Sequence, residues 1–444
     1  MTSSRCRNRE SGSRALLLDR SRAPTGVSFV REFGSRVGGH PLRRHALFSA
    51  YLLVGLTNGI RPRLVAMFLS AVPLGMLSLT IVLCVQEWTG ALSAAGSISA
   101  LFGLGNAIGL SVQGPLMDRV GSRPIVIAAG TICTAALLGF GTAGTLGGPL
   151  WVVAVTAGIA GVSVPAITTA VRAWLSYTLT DESLRGTSYA LLSALFQGAF
   201  TIGPVLVSLS LIVHGPVAAL GVGALMILSA TIVYAFTTDE QAPRAVAPRS
   251  VARDARMARS PGLQTILVAA GLDGVAAGMI AVAIPGLMTN AGVAALAGVA
   301  FTALAAGEVL GALAFGSRTW PGPRSVQLPV VHAAAAAVAV LIYLTSEQPW
   351  LLVIVMFGAG LTGAPGSILK STMLDDVAAK AVIARSYSLL VAVGLVSGAV
   401  GNALAGQLVD HTSVTGLLFF PPFALALSTI WIALRARTLV AHRD

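Results

Sequence analysis

The stretch GPLMDRVGSRP, from Gly114 to Pro124, decides the fold, because it is a short charged interruption between two long apolar tracts. Between Glu87 and Arg172 the charged side chains are all its own, namely Asp118, Arg119 and Arg123. A polar turn with several glycines, held between tracts of membrane length, is expected where a chain leaves a bilayer and enters it again.

The composition of the whole chain also indicates a membrane protein. Of its 444 residues, 55% are hydrophobic and only 10% are charged, and the mean hydropathy is +0.82. A soluble domain of this size would need more polar surface. Apolar tracts of about 20 residues recur, each long enough to cross ~30 Å of hydrocarbon as a helix. They are continuous and rich in glycine and alanine, which favours packed membrane helices over the alternating pattern of a barrel.

The net charge of +12 reflects membrane topology rather than nucleic-acid binding. Arginine and lysine occur near both termini and in every second loop between the predicted helices, while the other loops have none. Because basic loops stay on the cytoplasmic side, this pattern predicts that both termini are cytoplasmic in a multi-pass protein of the cell membrane. The strong preference for arginine over lysine is typical of a GC-rich genome, such as an actinobacterial one.

Twelve helices are predicted, in two groups of six. Their approximate ranges are 64–86, 91–113, 124–145, 149–173, 187–212, 216–236, 263–288, 292–316, 327–345, 349–372, 386–409 and 414–435. The predicted domains are a basic extension (1–62), a first bundle (63–237), a cytoplasmic linker (238–262), a second bundle (263–437) and a tail (438–444). The extension is interpreted as disordered or lying on the membrane surface, or as the product of a misassigned translation start.

Several short segments recur in the same order in both groups, which predicts a duplicated six-helix unit. The pairs are GNAIG at Gly105 with GEVLG at Gly307, Pro165 with Pro365, and SYALL at Ser188 with SYSLL at Ser386.

The opening stretch resembles a motif of the major facilitator superfamily of secondary transporters. That motif, G-x-L-x-D-R-x-G-x-R, is matched by Gly114, Leu116, Asp118, Arg119, Gly121 and Arg123. The resemblance covers about 62–437. It implies an all-α polytopic membrane protein with 12 transmembrane helices in two pseudo-symmetric six-helix bundles, which alternate in opening a central cavity to each side of the membrane.

In that family the motif forms a cytoplasmic gate between the second and third helices. The resemblance implies that Asp118 braces the start of the eleventh helix, near Ser386, and helps to hold the outward-facing state. The proposed gate residues are Gly114, Asp118, Arg119, Gly121 and Arg123. The alternative is an ordinary basic turn. The second copy, Gly316–Arg324, lacks the acidic residue.

The fifth helix carries a partial match to the family's antiporter motif, G-x-x-x-G-P-x-x-G-G. Gly203 and Pro204 are present, while Ala199, Val207 and Ser208 replace three of the glycines. Gly203 and Pro204 are expected to form a hinge, because proline permits bending and glycine permits close helix contact. The match favours export, although plain helix packing explains it nearly as well.

Two acidic residues lie within predicted membrane helices, Asp273 in the seventh and Glu308 in the eighth. An ionised carboxylate there costs at least ~2.5 kcal/mol on insertion scales, so such residues face a cavity or a partner. Glu308 and Asp273 are candidate proton carriers. The alternative is a static hydrogen-bonding role.

The remaining candidates for the cavity or the inner gate are Asn106, Gln113, Arg172, Gln197 and Lys370. Arg172 and Lys370 are expected to extend toward the headgroups of the inner leaflet, with attraction of an anionic substrate or pairing with nearby acids as alternatives. His332, in the ninth helix, is not by itself a metal site.

The sequence thus predicts a proton-coupled exporter of small amphipathic molecules, such as a drug or a natural product. The alternatives are a proton-coupled metabolite importer and a transporter-like sensor or scaffold that moves nothing. No enzyme motif, metal site or cofactor is predicted, and the energy source is an ion gradient, with H⁺ favoured. The expected partners are a small-molecule substrate and the lipid bilayer, without nucleic acid, and the protein is expected to be a monomer.

Overall fold

The computed structural model describes residues 59–178, 182–237, 260–317, 320–377 and 383–439. In these residues the regular structure is helical and no strand occurs. The helices are α1 (Ile60–Thr89), α2 (Leu92–Val120), α3 (Ser122–Thr145), α4 (Leu150–Val162), α5 (Ile167–Thr178), α6 (Glu182–Val213), α7 (Pro216–Ala235), α8 (Pro261–Asn290), α9 (Ala295–Gly316), α10 (Arg324–Leu344), α11 (Pro349–Val377), α12 (Ile383–Leu408), α13 (Val414–Leu417) and α14 (Phe420–Leu434). They provide 12 helical segments long and apolar enough to cross a membrane, as predicted.

The fourth span is broken, which the prediction of one helix over 149–173 missed. It consists of α4 and α5, and the chain between them includes Pro165. Proline cannot donate a backbone hydrogen bond, and its ring crowds the preceding turn. Its counterpart Pro365 nevertheless lies inside the continuous helix α11.

The connection between α2 and α3 is much shorter than predicted. Helix α2 continues to Val120 and α3 begins at Ser122, so the expected loop from Gly114 to Pro124 is almost entirely helical. Gly121 alone forms the turn, with φ of 100° and ψ of 154°. A residue with a side chain rarely adopts this conformation, so the turn requires glycine.

The two halves repeat the same packing. In the first half α1 packs against α6 and α7, α2 against α4, and α3 against α4 and α7. In the second half α8 packs against α12 and α14, α9 against α11, and α10 against α11 and α14. These sets correspond pair by pair, and the prediction of two pseudo-symmetric six-helix bundles is confirmed.

The repeated glycine segments perform the same packing in each half. A Cβ atom on Gly105 of α2 would lie 2.6 Å from the carbonyl oxygen of Gly158 in α4. A Cβ atom on Gly307 of α9 would lie 2.1 Å from the carbonyl oxygen of Phe357 in α11. Both distances are shorter than any van der Waals contact, so GNAIG and GEVLG each bring two helix backbones together.

The halves meet along two symmetry-related pairs of helices, α2 with α12 and α6 with α9. We call the end of the molecule where α1 begins and α2 ends the basic end. It carries Arg61, Arg119, Arg123, Arg324 and Arg435. The other end, where α1 ends and α2 begins, is called the opposite end.

The hydrophobic core is shared at the opposite end and divided at the basic end. One large cluster unites both halves and includes Leu83, Leu92, Met288 and Leu296, which lie at or near the opposite end of their helices. Toward the basic end each half has its own cluster. These contain Ile60, Met117, Val126 and Tyr234 in the first half, and Leu263, Leu328, Leu374 and Ile432 in the second.

Candidate functional site

Direct contacts between the halves seal the opposite end. The hydroxyl of Ser208 in α6 donates to the carbonyl oxygen of Ala295 at the start of α9, at 2.9 Å. The amide Nδ2 of Asn402 in α12 donates to the hydroxyl of Ser99 in α2, at 3.1 Å. A Cβ atom on Gly96 would lie 2.7 Å from the carbonyl oxygen of Asn402. The space between the halves is therefore closed at this end.

The residues of the predicted gate lie at the basic end. Asp118 and Arg119 occupy the last turn of α2, Arg123 lies at the start of α3, and all three are exposed. The proposed partner of Asp118, the start of α12, has Ser386 fully buried. Gly114 does not form a turn: it precedes Pro115 inside α2, where a side chain would crowd the proline ring.

The predicted hinge residues lie where three helices meet. A Cβ atom on Gly203 of α6 would lie 2.7 Å from the carbonyl oxygen of Val72 in α1. One on Gly298 of α9 would lie 2.5 Å from the carbonyl oxygen of Pro204. Gly203 thus fixes α6 against its own half, while Pro204 contacts the other half.

Glu308 lies between the halves. Gln197 of α6 donates from Nε2 to Oε2 of Glu308 in α9, at 3.5 Å, so this bond crosses from the first half to the second. Both side chains are half-buried. In the part of the chain that the structure describes, no basic side chain forms an ion pair with Glu308.

A second polar group lies inside the second half, where three helices each contribute one side chain. The ammonium group of Lys370 in α11 donates to Oδ2 of Asp273 in α8, and the same oxygen lies 3.0 Å from Nε2 of His332 in α10. Lys370 and His332 are 9% and 3% exposed, and the Asp273 side chain is 21% exposed. We call these three residues the charged triad.

The interpretation of Lys370 as extending to the headgroups is wrong, because Lys370 is buried and paired with Asp273. The sequence analysis identified all three residues of the triad but did not place them together. Counting helical turns from the basic end of each helix would have placed them at a similar depth, because Asp273, His332 and Lys370 each lie about two to four turns from that end.

The triad and Glu308 are separate sites. The backbone nitrogen of Glu308 lies beside Gly360 of α11, at 2.6 Å from the position of a Cβ atom there. Lys370 follows ten residues later in the same helix, which corresponds to about 15 Å along the axis. Glu308 therefore lies deeper in the molecule, and the triad lies nearer the basic end.

The first half of the sequence is similar to a known family of transporters. The model of the Major Facilitator Superfamily matches residues 63–264, which include the first bundle and the start of α8. Over these residues the chain is similar to the secondary transporters of that superfamily. The finding also agrees with the expectation that it is not an enzyme.

Two solved structures of transporters have the same fold as this chain. The nucleoside transporter NupG superimposes with a TM-score of 0.70 at 13% sequence identity, covering 85% of this chain and 100% of that one. The peptide transporter POT, in complex with alafosfalin, gives a TM-score of 0.66 at 14% identity, covering 86% of this chain and 94% of that one. At these identities the likeness establishes the fold alone. No curated protein matches the sequence.

Gln113 supports the broken fourth span. Its side-chain Nε2 donates to the carbonyl oxygens of Val162 and Val164, at 3.1 and 2.8 Å, and its Oε1 accepts from the backbone N–H of Ala166 at 3.0 Å. These are the backbone groups that the break between α4 and α5 leaves without helical partners. The side chain proposed to line the cavity therefore bonds to the backbone of the break.

Two other cavity candidates differ in burial. Asn106 is 8% exposed and follows Gly105, so it occupies in the first half the position that Glu308 occupies in the second. Arg172 of α5 is exposed near the basic end.

Arg63 was not among the candidates, although it is 2% exposed and thus more deeply buried than the candidate Arg172. Its guanidinium lies 4.2 Å from the ring centre of Trp174, and Nη1 donates to the carbonyl oxygen of Gly59. It thus fastens α1 to α5.

A cavity of about 600 Å³ opens on the outer face of the first half, between α2, α3 and α4. Its lining is almost wholly apolar and includes Leu101, Ile132 and Val155, all exposed on the surface. It is separate from Glu308 and from the charged triad. Within the described ranges, no group of three or more His, Cys, Asp or Glu residues could hold a metal ion.

Proposed function

We propose that this transporter exports small amphipathic molecules in exchange for protons, and that Glu308 carries the coupling proton. The single observation that supports this role is the position of Glu308. It is the half-buried carboxyl group that bonds across the halves, to Gln197, without a basic partner among the described side chains.

The physical argument concerns the cost of charge. An ionised carboxylate in apolar surroundings is costly, whereas the protonated form is much less so. A carboxylate accepts a stronger hydrogen bond from Gln197 than a neutral carboxyl group does. Protonation of Glu308 therefore changes the strength of a contact between the halves, and this couples the proton to their relative movement.

The cytoplasmic side is assigned to the basic end, in agreement with the arginine distribution. The described state is then inward-facing, with the opposite end sealed by α2–α12 and α6–α9. In the outward-facing state the basic end would close, and Asp118 would reach the start of α12. An acidic group is favoured near a helix N-terminus by about 0.3–1 kcal/mol.

The proposed substrate class follows from the sparse charge between the halves. A sugar or other highly polar substrate requires many hydrogen-bonding side chains, whereas an amphipathic molecule requires apolar surface and a few polar groups. Export is favoured by the partial antiporter motif at Gly203 and Pro204. Uptake by proton symport is the second candidate, since the same fold occurs in NupG and POT, which are a nucleoside and a peptide transporter.

The test uses purified protein in proteoliposomes, a panel of amphipathic compounds and an imposed pH gradient. We expect a compound to move against the direction of proton flow. The Glu308→Gln variant should still exchange labelled for unlabelled compound but should lose accumulation driven by the gradient. Glu347→Gln, which removes an exposed carboxyl group in a loop, is the matched control and should behave as the wild type.

Three outcomes would contradict the proposal. Movement of the compound with the protons would indicate symport. If accumulation by the Glu308→Gln variant still depended fully on the pH gradient, Glu308 would be excluded as the proton carrier. Movement of no compound by the wild type would favour a sensor or scaffold.

A further inference from the structure

The hydrogen bonds of the charged triad determine which of its nitrogen and oxygen atoms carry hydrogen. Nδ1 of His332 lies 2.9 Å from the carbonyl oxygen of Leu328. A carbonyl oxygen can only accept, so Nδ1 must carry a hydrogen. This contact therefore requires the tautomer with hydrogen on Nδ1.

The other ring nitrogen then requires one more proton. Nε2 of His332 lies 3.0 Å from Oδ2 of Asp273. A neutral ring with hydrogen on Nδ1 has only a lone pair at Nε2, and an ionised carboxylate also has only lone pairs. A hydrogen bond between them exists either as imidazolium with carboxylate or as neutral imidazole with a protonated carboxyl group.

We infer that His332 and Asp273 share one exchangeable proton, so that the charged triad is a second proton-binding site, separate from Glu308. Lys370 supplies the positive charge that holds Asp273 as a carboxylate when the shared proton leaves. The proton passes to water at the exposed part of the Asp273 side chain. His332 then retains only its Nδ1 hydrogen.

Release of this proton has a structural consequence. The lone pairs of Nε2 and Oδ2 would face each other without a hydrogen between them, so the bond between α8 and α10 is lost. The ion pair between α8 and α11 remains. The His332 ring packs against Gly366 of α11, where a Cβ atom would lie 3.4 Å from the ring carbon Cε1. The site therefore links one proton to the packing of α10 against α8.

The other ionisable side chains described on the surrounding helices are engaged elsewhere or lie far along the chain. Glu308 of α9 bonds to Gln197, the Tyr387 hydroxyl of α12 donates to the carbonyl of Ser371, and Arg435 after α14 donates to the Thr265 hydroxyl. Arg324, at the start of α10, lies eight residues from His332 and is exposed. Among the described side chains, the contacts of the triad with ionisable groups are therefore those between its own three members.

The inference is tested by nitrogen-15 NMR of full-length protein in lipid bilayers, labelled at histidine and followed from about pH 5 to about pH 9. The His332 signal is assigned by its loss in His332→Gln. Infrared spectra of the same samples report protonated carboxyl groups. We expect a ring with hydrogen on both nitrogens, or a protonated Asp273, that converts to the Nδ1–H neutral ring as the pH rises.

Asp273→Asn should abolish the signal of the extra proton, with a loss of one bound proton per molecule. The asparagine amide can donate to Nε2, so the ring stays neutral at every pH. Glu308→Gln removes the carboxyl group that lies between the halves and should leave the His332 signal unchanged. If Asp273→Asn does not fold, the wild-type spectra decide.

A neutral His332 ring beside an ionised Asp273 at every pH would overturn the inference, as would a His332 titration that Asp273→Asn leaves unchanged. A role of this proton in transport rests on the proposed function, whereas its binding does not. If the spectra show the expected shared proton but the protein transports nothing, the proposed function alone is disproved. If the protein is an active exporter but the spectra show no shared proton, the inference about the triad alone is disproved.

Discussion

Lys370 and Asp273 show how charges persist inside an apolar bundle. The lysine is 9% exposed, yet it forms an ion pair with a carboxylate of a neighbouring helix that also contacts His332. Removal of one partner of a buried ion pair leaves an uncompensated charge, whereas removal of both leaves none. Removal of one partner is therefore expected to destabilise the protein more than removal of both.

At a pH at which the shared proton has left the triad, we expect Lys370→Met to lower the free energy of unfolding by about 3–5 kcal/mol, because the ionised Asp273 then loses its counter-charge. The double variant Lys370→Met with Asp273→Asn should recover most of this loss. Unfolding of the purified protein in detergent, followed by circular dichroism, measures both. A double variant as unstable as Lys370→Met alone would contradict the pairing.

The sequence identified the polar residues of the spans but not their contacts. Asp273, Glu308, His332 and Lys370 are all visible as polar groups in apolar tracts. Their pairing depends on the rotation of each helix about its axis, and a helix that is apolar on all sides gives no periodic signal for that rotation.

At the scale of the elements, the turn at Gly121 is decided by one residue. Its φ of 100° lies in a region that residues with a Cβ atom rarely adopt. Gly121→Ala should destabilise the protein by roughly 1–3 kcal/mol. The measurement is thermal unfolding in detergent, together with transport of a compound identified in the panel.

Gly221→Ala in α7 is the matched control for Gly121→Ala. This glycine is helical and exposed, and a Cβ atom there would have nothing within 4 Å. Alanine is better than glycine inside a helix by about 0.5–1 kcal/mol, so this variant should be neutral or slightly more stable. A loss of stability equal to that of Gly121→Ala would show that strain at the turn is not the cause.

The two prolines of the repeat show why helix breaks were not predictable from the sequence. Pro165 breaks its span and Pro365 does not. The difference lies in the facing helix. Gln113 bonds to the free backbone groups at the first proline, while the corresponding position of the second half, eight residues after Gly307, is the apolar Phe315. Only the three-dimensional packing brings these residues together.

At the scale of the whole molecule, the core is shared between the halves at the opposite end and divided at the basic end. This arrangement belongs to one of two expected states, the one in which the opposite end is closed. Ser99 and Asn402 touch in this state, at 3.1 Å, and should separate when the opposite end opens. Cysteines at these two positions, in a protein whose three native cysteines are replaced, should form a disulfide on oxidation. We expect the cross-link to stop transport and a reducing agent to restore it.

Asp118 is proposed to stabilise the other state, so Asp118→Asn should increase the rate of this cross-link while leaving membrane insertion intact. Glu347→Gln, a change to an exposed loop carboxyl group, should leave the rate unchanged. A rate unaffected by Asp118→Asn, or a cross-linked protein that still transports, would argue against the two-state gate.

The two halves have symmetric backbones but different polar and charged residues at corresponding positions. Where the first copy of the duplicated unit has Asn106, the second has Glu308, and the charged triad lies wholly in the second copy. The exposed Asp118 occurs in the first copy alone, since its repeat has lost the acid. The two copies of the repeated unit thus share their packing but carry different polar side chains. Chimaeras that exchange whole halves with a related transporter would transfer proton dependence with the C-terminal half and gating with the N-terminal half.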